Sequence, residues 1–178
     1  RYLIVRLLYE TGGRISEILN LHLDDVRIKA SRYFILIRGT KTDSAERTVE
    51  ISSELFSELN NYRNLYDVKS RLFSTTGGKT HYPEDFSHWI SKFCKELQIS
   101  CKVHPHLFRY LFIIEWIRGG KPLNELMHRL GHSDVSMTIY YARQVARLCH
   151  DIDISESISM LERHKQSQAR IFNRRPKN

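Results

Sequence analysis

Long apolar runs are missing from this 178-residue chain. Nothing in it approaches the roughly 20 consecutive apolar residues that a membrane-spanning helix needs. Nor does it carry the charged, apolar and small-residue succession of a secretory leader, so no membrane partner is expected. Cysteine is scarce: Cys94, Cys101 and Cys149 are odd in number and show no CxxC spacing. That pattern argues against a disulfide framework and for a reducing, cytoplasmic setting. No internal repeat is visible. The segment Gly77-Gly78-Lys79-Thr80 hints at a phosphate loop, but Phe73 stands where a Walker A motif requires glycine. Cys101, His104 and His106 sit at short spacings that could hold zinc, but no fourth ligand is evident, so a structural zinc site is disfavoured. No carboxylate cluster suited to Mg²⁺ is present either.

What is present is positive charge. Lys and Arg outnumber Asp and Glu by 28 to 20, a net +8 with a pI near 9.5. A basic balance of this size points to a nucleic-acid partner. However, the six Lys and Arg residues from Arg163 onward meet no acid, which leaves +2 for residues 1–162. Basic tails also serve as interaction arms, so charge alone does not settle the partner. The length suits one domain with a sizeable core. The chain opens at Arg1 inside a helical pattern, and the expectation is a fragment whose N-terminal partner domain has been removed.

Periodicity predicts a mainly α protein with one small antiparallel sheet. Leu3, Ile4, Leu7 and Leu8 recur at helical spacing until Gly12-Gly13, and Ile15, Ile18 and Leu19 line a second short helix. Tyr33–Thr40 and Arg47–Ser52 read as a β-hairpin whose long tip is Lys41–Glu46. Ser52 or Ser53 caps a helix to about Asp67, with a short strand expected at Leu72-Phe73. Pro83 suits the first turn of a helix to about Leu97. Further helices are expected over about 106–118, 122–130, 135–146 and 155–165, before a polar tail. Residues 1–150 are read as the main domain, 151–165 as a C-terminal helix and 166–178 as a basic tail.

Four places concentrate groups that bind or transfer charge, and each has a bland reading. Arg14 and Glu17 share a helical face as a solvated ion pair would. Lys41 in a loop is ordinarily solvated. Tyr140 and Tyr141 are ordinarily an aromatic edge packed on a core. His106 and Arg109 share a face crowded by Leu107, Phe108, Leu111 and Phe112, where an arginine needs a strong partner.

Taken together, the four resemble one family. TGGRISEIL (Thr11 to Leu19) is similar to the first arginine box of the tyrosine site-specific recombinases, the phage-integrase family. TKTDSAERTVEI (Thr40 to Ile51) resembles the family's lysine-bearing β-hairpin. PHLFRYLF (Pro105 to Phe112) resembles its H-x-x-R box. LGHSDVSMTIYYAR (Leu130 to Arg143) resembles its LGHS…Tyr box, with the family's His-to-Tyr spacing of nine. The boxes fall in the family's order between Leu3 and Arg143. Two positions depart from the pattern: Tyr110 stands where many members have His, and Gly13 replaces an apolar residue.

The resemblance implies the mainly α, α+β catalytic-domain fold of these recombinases. It also implies DNA cleavage and rejoining through a 3′-phosphotyrosine. Arg14, Lys41, His106, Arg109 and His132 would activate the phosphate, Tyr141 would be the nucleophile and Glu17 would support them. Elementary chemistry agrees with these roles. Phosphodiester transfer places extra negative charge on non-bridging oxygens, and two permanently charged guanidiniums suit it. A phenol with pKa near 10 needs a proton acceptor, for which His106 is the candidate. A mobile lysine such as Lys41 can protonate the leaving 5′-oxygen. The scheme uses no cofactor and no metal. The implied partners are double-stranded DNA, three further copies of the chain in a tetramer on paired sites, and accessory DNA-bending proteins. Integration and excision of a mobile element is the expected role, because the hairpin tip is longer than the compact GKGNK form of the Xer recombinases. Alternatives are Xer-like dimer resolution, type IB topoisomerase-like strand passage and a catalytically silent DNA-binding relative. The expected location is the cytoplasm, at the nucleoid.

Overall fold

In a computed structural model, residues 1–39, 46–74, 81–100, 102–132, 134–148 and 155–173 are described, with the side chains of the last helix described for 155–163 and 166. The predicted hairpin tip with Lys41, the Gly77-Gly78-Lys79-Thr80 segment, Cys101, Cys149 and the final basic residues lie outside that set. The chain divides into two compact units, 1–112 and 113–178. Among the described residues no helix is long and apolar enough to cross a membrane.

The first unit begins with α1 (Tyr2–Thr11), whose stripe of Leu3, Ile4, Leu7 and Leu8 is buried as the spacing requires. Gly12 ends it in the left-handed region at φ 64°, where its N–H reaches the Leu8 carbonyl. The Thr11 hydroxyl donates to the Leu7 carbonyl and accepts the Gly13 N–H. Gly13 is hemmed in: a Cβ there would lie 2.9 Å from Ile18 Cδ1 and 3.1 Å from Thr11 Oγ1. Ile18 is fully buried. The glycine that departs from the family pattern therefore sits where a side chain has no room. α2 (Ile15–Leu19) follows at once.

A three-stranded antiparallel sheet comes next, where the sequence suggested two strands. The additional strand is β1 (Val26–Lys29), paired with β2 (Arg32–Ile37) in a register that sets Lys29 opposite Arg32. The link is Ala30-Ser31, both at positive φ (49° and 61°). Such a two-residue turn normally advertises itself with Asn-Gly or Asp-Gly, and here that signal is missing. β1 is also mostly exposed, Ile28 included, and its Val-Arg-Ile-Lys alternation is only four residues long. β2 then pairs with β3 (Arg47–Ile51) from Tyr33↔Ile51 to Ile37↔Arg47.

α3 (Ser53–Leu65) is capped by Ser52, whose hydroxyl accepts the Leu55 N–H. Leu72 and Phe73 form no strand. Arg71 makes one isolated antiparallel bridge with His22, flanked by Leu23 N–H to Ser70 O and Leu72 N–H to Leu21 O, both 2.8 Å. The ladder cannot lengthen because residues 23–25 turn immediately into a 3₁₀ helix. Leu72 and Phe73 instead plug the core. α4 (Pro83–Glu96) starts on its first-turn proline and buries Phe86, Ile90 and Cys94. The core of this unit joins α1, α2, the sheet, α3 and α4, and each fully buried side chain such as Leu7, Leu8, Ile18 or Leu55 contributes roughly 1.5–3 kcal/mol.

α5 (Pro105–Arg118) begins in the first unit and ends in the second. There α6 (Leu123–Leu130), α7 (Val135–Leu148) and α8 (Ser155–Asn173) complete a helical assembly around Ile113, Ile117, Leu126, Leu130, Ile139 and Val145. α8 packs on α6 and α7, burying Leu161 and pairing Glu162 with Arg143 at 2.6 Å. It runs well beyond the expected end near Lys165, because residues 166–173 contain neither Gly nor Pro to stop it. The fold class is thus mainly α with one small antiparallel sheet.

Candidate active site

The first unit brings together Arg14, Glu17, His106 and Arg109. Arg14 precedes α2, and its backbone N–H donates to Glu17 Oε2 at 2.7 Å while its Nη1 donates to Oε1 at 2.9 Å. The solvated reading of this pair fails. The Glu17 side chain is fully buried, and it also receives Arg47 from β3, at 2.8 Å to Oε2 and 3.2 Å to Oε1. Burial pushes the Glu17 pKa up, but the Arg47 hydrogen bonds and charge, with Arg14 behind them, outweigh it and hold the carboxyl below its ordinary value. Arg14 itself stays part-exposed.

Arg47 is a site residue that sequence reasoning passed over. The signal was there: Arg47 shares the buried phase of β3 with Val49 and Ile51, and an arginine in an apolar phase must have a buried anion to meet.

Arg109 is buried, 4% exposed, on the inward side of α5. Its Nη1 donates to the Gly12 carbonyl at 2.6 Å, which ties α5 to the turn that precedes Arg14. His106, one turn earlier, keeps an exposed edge. Partial desolvation, then the positive charges of Arg109, His104 and Arg14, lower its pKa below the usual imidazole value. The ring is therefore neutral at pH 7 and able to accept a proton. Arg109, His104 and Arg14 thus lie near enough to His106 to act on its charge.

The second unit brings together His132 and Tyr141. Gly131 closes α6 in the left-handed region at φ 61°, and the reversal delivers His132. Its Nδ1 lies 2.9 Å from the hydroxyl of Thr138, which is fully buried on α7. A Thr138 hydroxyl that donates here leaves the His132 proton on Nε2 as a donor, and one that accepts leaves it on Nδ1. Tyr141 follows Thr138 one turn later, its ring nearly parallel to that of His132 with centroids 6.1 Å apart. Tyr140 points elsewhere: it is 57% exposed and meets Tyr141 edge-on.

Comparison with known proteins gives this arrangement its context. The family model described as the phage integrase family matches residues 1–147. Tyrosine recombinase XerA of Pyrococcus furiosus is 31% identical over 164 residues, which is 90% of this chain and 55% of that protein. The chain thus spans about half the length of this relative. Among solved structures it is similar to a XerA recombinase (TM-score 0.70, 27% identity, 85% of this chain and 57% of that one). It is also similar to the catalytic domain of bacteriophage HP1 integrase (TM-score 0.59, 31% identity, 79% of this chain and 73% of that one). With the match running from α1 through nearly all of α7, the chain belongs to the phage integrase family.

Proposed function

We propose that this chain cuts and rejoins duplex DNA through a 3′-phosphotyrosine, acting as the catalytic domain of a tyrosine recombinase over residues 1–150. The observation that carries the reading is Arg109 buried against the Gly12 carbonyl at the turn that leads to Arg14, with Glu17 holding Arg14 and His106 one turn away on α5. In the proposed step Tyr141 Oη attacks phosphorus and the P–O5′ bond breaks. The phenol proton passes to His106, and the leaving 5′-oxygen takes a proton from Lys41. Arg14, Arg109 and His132 Nε2–H meet the charge that grows on the non-bridging oxygens. Glu17 holds Arg14 in place. The ester retains the free energy of the original bond, so a 5′-hydroxyl can reverse the step without ATP.

The test is covalent capture on a nicked suicide duplex selected from a randomised pool, in excess EDTA. A protein–DNA adduct that survives denaturing electrophoresis is expected. Activity that vanishes in EDTA and returns with Mg²⁺ or Zn²⁺ would overturn the scheme, and binding without any adduct would leave a silent DNA-binding relative.

The biological role we favour is integration and excision of a mobile element, supported by the long 41–46 tip and by the likeness to the HP1 integrase domain. Dimer resolution is the second reading, favoured by 31% identity to XerA. Exchange between unlike sites supports the first, resolution of directly repeated identical sites supports the second, and relaxation of supercoils alone points to a topoisomerase. We propose a tetramer on paired sites in the cytoplasm, at the nucleoid, aided by DNA-bending proteins. The segment 151–165, whose helical part packs in this chain on α6 and α7 with Leu161 buried, would transfer that contact to a neighbouring subunit.

A further inference from the structure

The buried stripe of α7 runs through Val135, Thr138, Ala142 and Val145, and one of its members is polar. Thr138 is as inaccessible as Ala142 and Val145, all at 0%. A hydroxyl in such a stripe is unfavourable unless it finds a partner. Among the described residues the Thr138 hydroxyl makes a single hydrogen bond, to His132 Nδ1 at 2.9 Å. Thr11, equally buried on α1, behaves differently: its hydroxyl donates to the Leu7 carbonyl four residues back. Thr138 has no water within reach, so its one proton goes to its one partner. If the hydroxyl accepted a proton from Nδ1 instead, its own hydrogen would be buried without an acceptor, which costs more than the bond contributes. Donation satisfies both atoms at once, and a neutral imidazole that accepts at Nδ1 carries its proton on Nε2. The same helix bears Tyr141 one turn later, its ring nearly parallel to that of His132. The hydroxyl therefore fastens the imidazole to the helix that bears the proposed nucleophile.

We propose that Thr138 is a positioning residue for His132: its hydroxyl selects the imidazole tautomer that has Nε2–H, rather than Nδ1–H, as its donor. Without that hydroxyl the neutral ring divides between two tautomers, and the Nδ1–H form has no hydrogen to offer at Nε2. The wrong tautomer removes a donor as completely as loss of the ring, for the fraction of molecules that hold it. The inference rests on the proposed role of His132 as a phosphate donor, but the tautomer itself is measurable without DNA.

Nitrogen NMR of the full-length protein with labelled histidine reads the tautomer, because the two nitrogens of a neutral imidazole resonate far apart according to which bears hydrogen. His132→Gln identifies the signals. In mildly alkaline solution, where an ordinary imidazole with pKa near 6.5 is neutral, the wild type should carry the His132 hydrogen on Nε2. Thr138→Val should show a mixture, and Thr138→Ser should return to Nε2. Single-turnover cleavage of the nicked suicide duplex gives the second reading. Thr138→Val should be slower by about 10–100-fold, the effect of losing the orienting partner behind a metal-bound imidazole. Thr138→Ser should regain most of that loss although it lacks the methyl group. In a His132→Gln background Thr138→Val should add nothing, because a positioning residue acts only through the group it positions. A wild-type ring protonated on Nδ1, or a Thr138→Val spectrum like that of the wild type, overturns the proposal. So does an equal slowing by Thr138→Val in both backgrounds, which would make Thr138 a packing residue only. Nε2–H in a protein that forms no adduct with DNA upholds the tautomer and overturns the cleavage reading.

Discussion

Arg109 Nη1 and the Gly12 carbonyl, 97 residues apart in sequence, meet at 2.6 Å. The contact fixes a buried guanidinium against the turn from which Arg14 emerges two residues later. A helix terminus leaves carbonyls without intrahelical partners, and here the αL turn after α1 offers one to the arginine rather than to water. The two cations proposed to grip the phosphate are thus referred to one short stretch of backbone.

Arg109→Ala, and likewise Arg14→Ala, is expected to slow cleavage by at least about 10²–10³-fold while duplex affinity changes far less. Removing one transition-state donor has that typical effect, whereas affinity arises from many phosphate contacts. Single-turnover rates and gel-shift affinities on the same duplex report both quantities. Equal losses would show that these arginines only hold DNA.

Tyr141→Phe should abolish covalent capture and leave binding nearly intact, and Tyr140→Phe should do neither. The expectation follows from the ring of Tyr141 lying beside His132 while Tyr140 faces outward. Denaturing electrophoresis of trapped nicked duplex distinguishes them, and an adduct from Tyr141→Phe but not from Tyr140→Phe would reverse the assignment.

Glu17→Ala should destabilise the protein by about 3–5 kcal/mol, the usual effect of leaving one member of a buried pair uncompensated. Urea unfolding measures it. Because the folded carboxyl titrates below its ordinary 4.5, its contribution is complete above that value and disappears as pH falls through the lower, folded one. The wild type should therefore show a downturn in stability below about pH 4.5 that Glu17→Ala lacks. Identical acid limbs would count against the buried-pair account.

The pH profile of kcat/KM tests His106 as proton acceptor. Its pKa is lowered from 6.5, so the acid limb should have its midpoint below that value, with full rate at neutral pH. His106→Gln should flatten the limb as well as reduce the rate. An unchanged limb in the variant would assign the titration to another group.

The four motif boxes, most helices and the fold class were legible from residue order, because helical periodicity, caps and short spacings are local properties. α1, α4 and α6 announce themselves through Leu3-Ile4-Leu7-Leu8, Pro83 and Gly131. β1 was not legible, since its turn uses Ala30-Ser31 and its Val26-to-Lys29 alternation spans only four residues. The expected strand at Leu72-Phe73 failed for the complementary reason: apolar residues can fill a core without a partner long enough to build a ladder. Sequence by itself determined which groups are proposed to carry the chemistry, for the proposed nucleophile and cations were chosen by residue type and spacing. Only the tertiary structure decided what holds them. It put Arg47 on Glu17, Arg38 on Asp25 and Arg109 on the Gly12 carbonyl. Those partners lie 30, 13 and 97 residues apart, pairings that no local pattern encodes, and burial is what turns such contacts from incidental into obligatory.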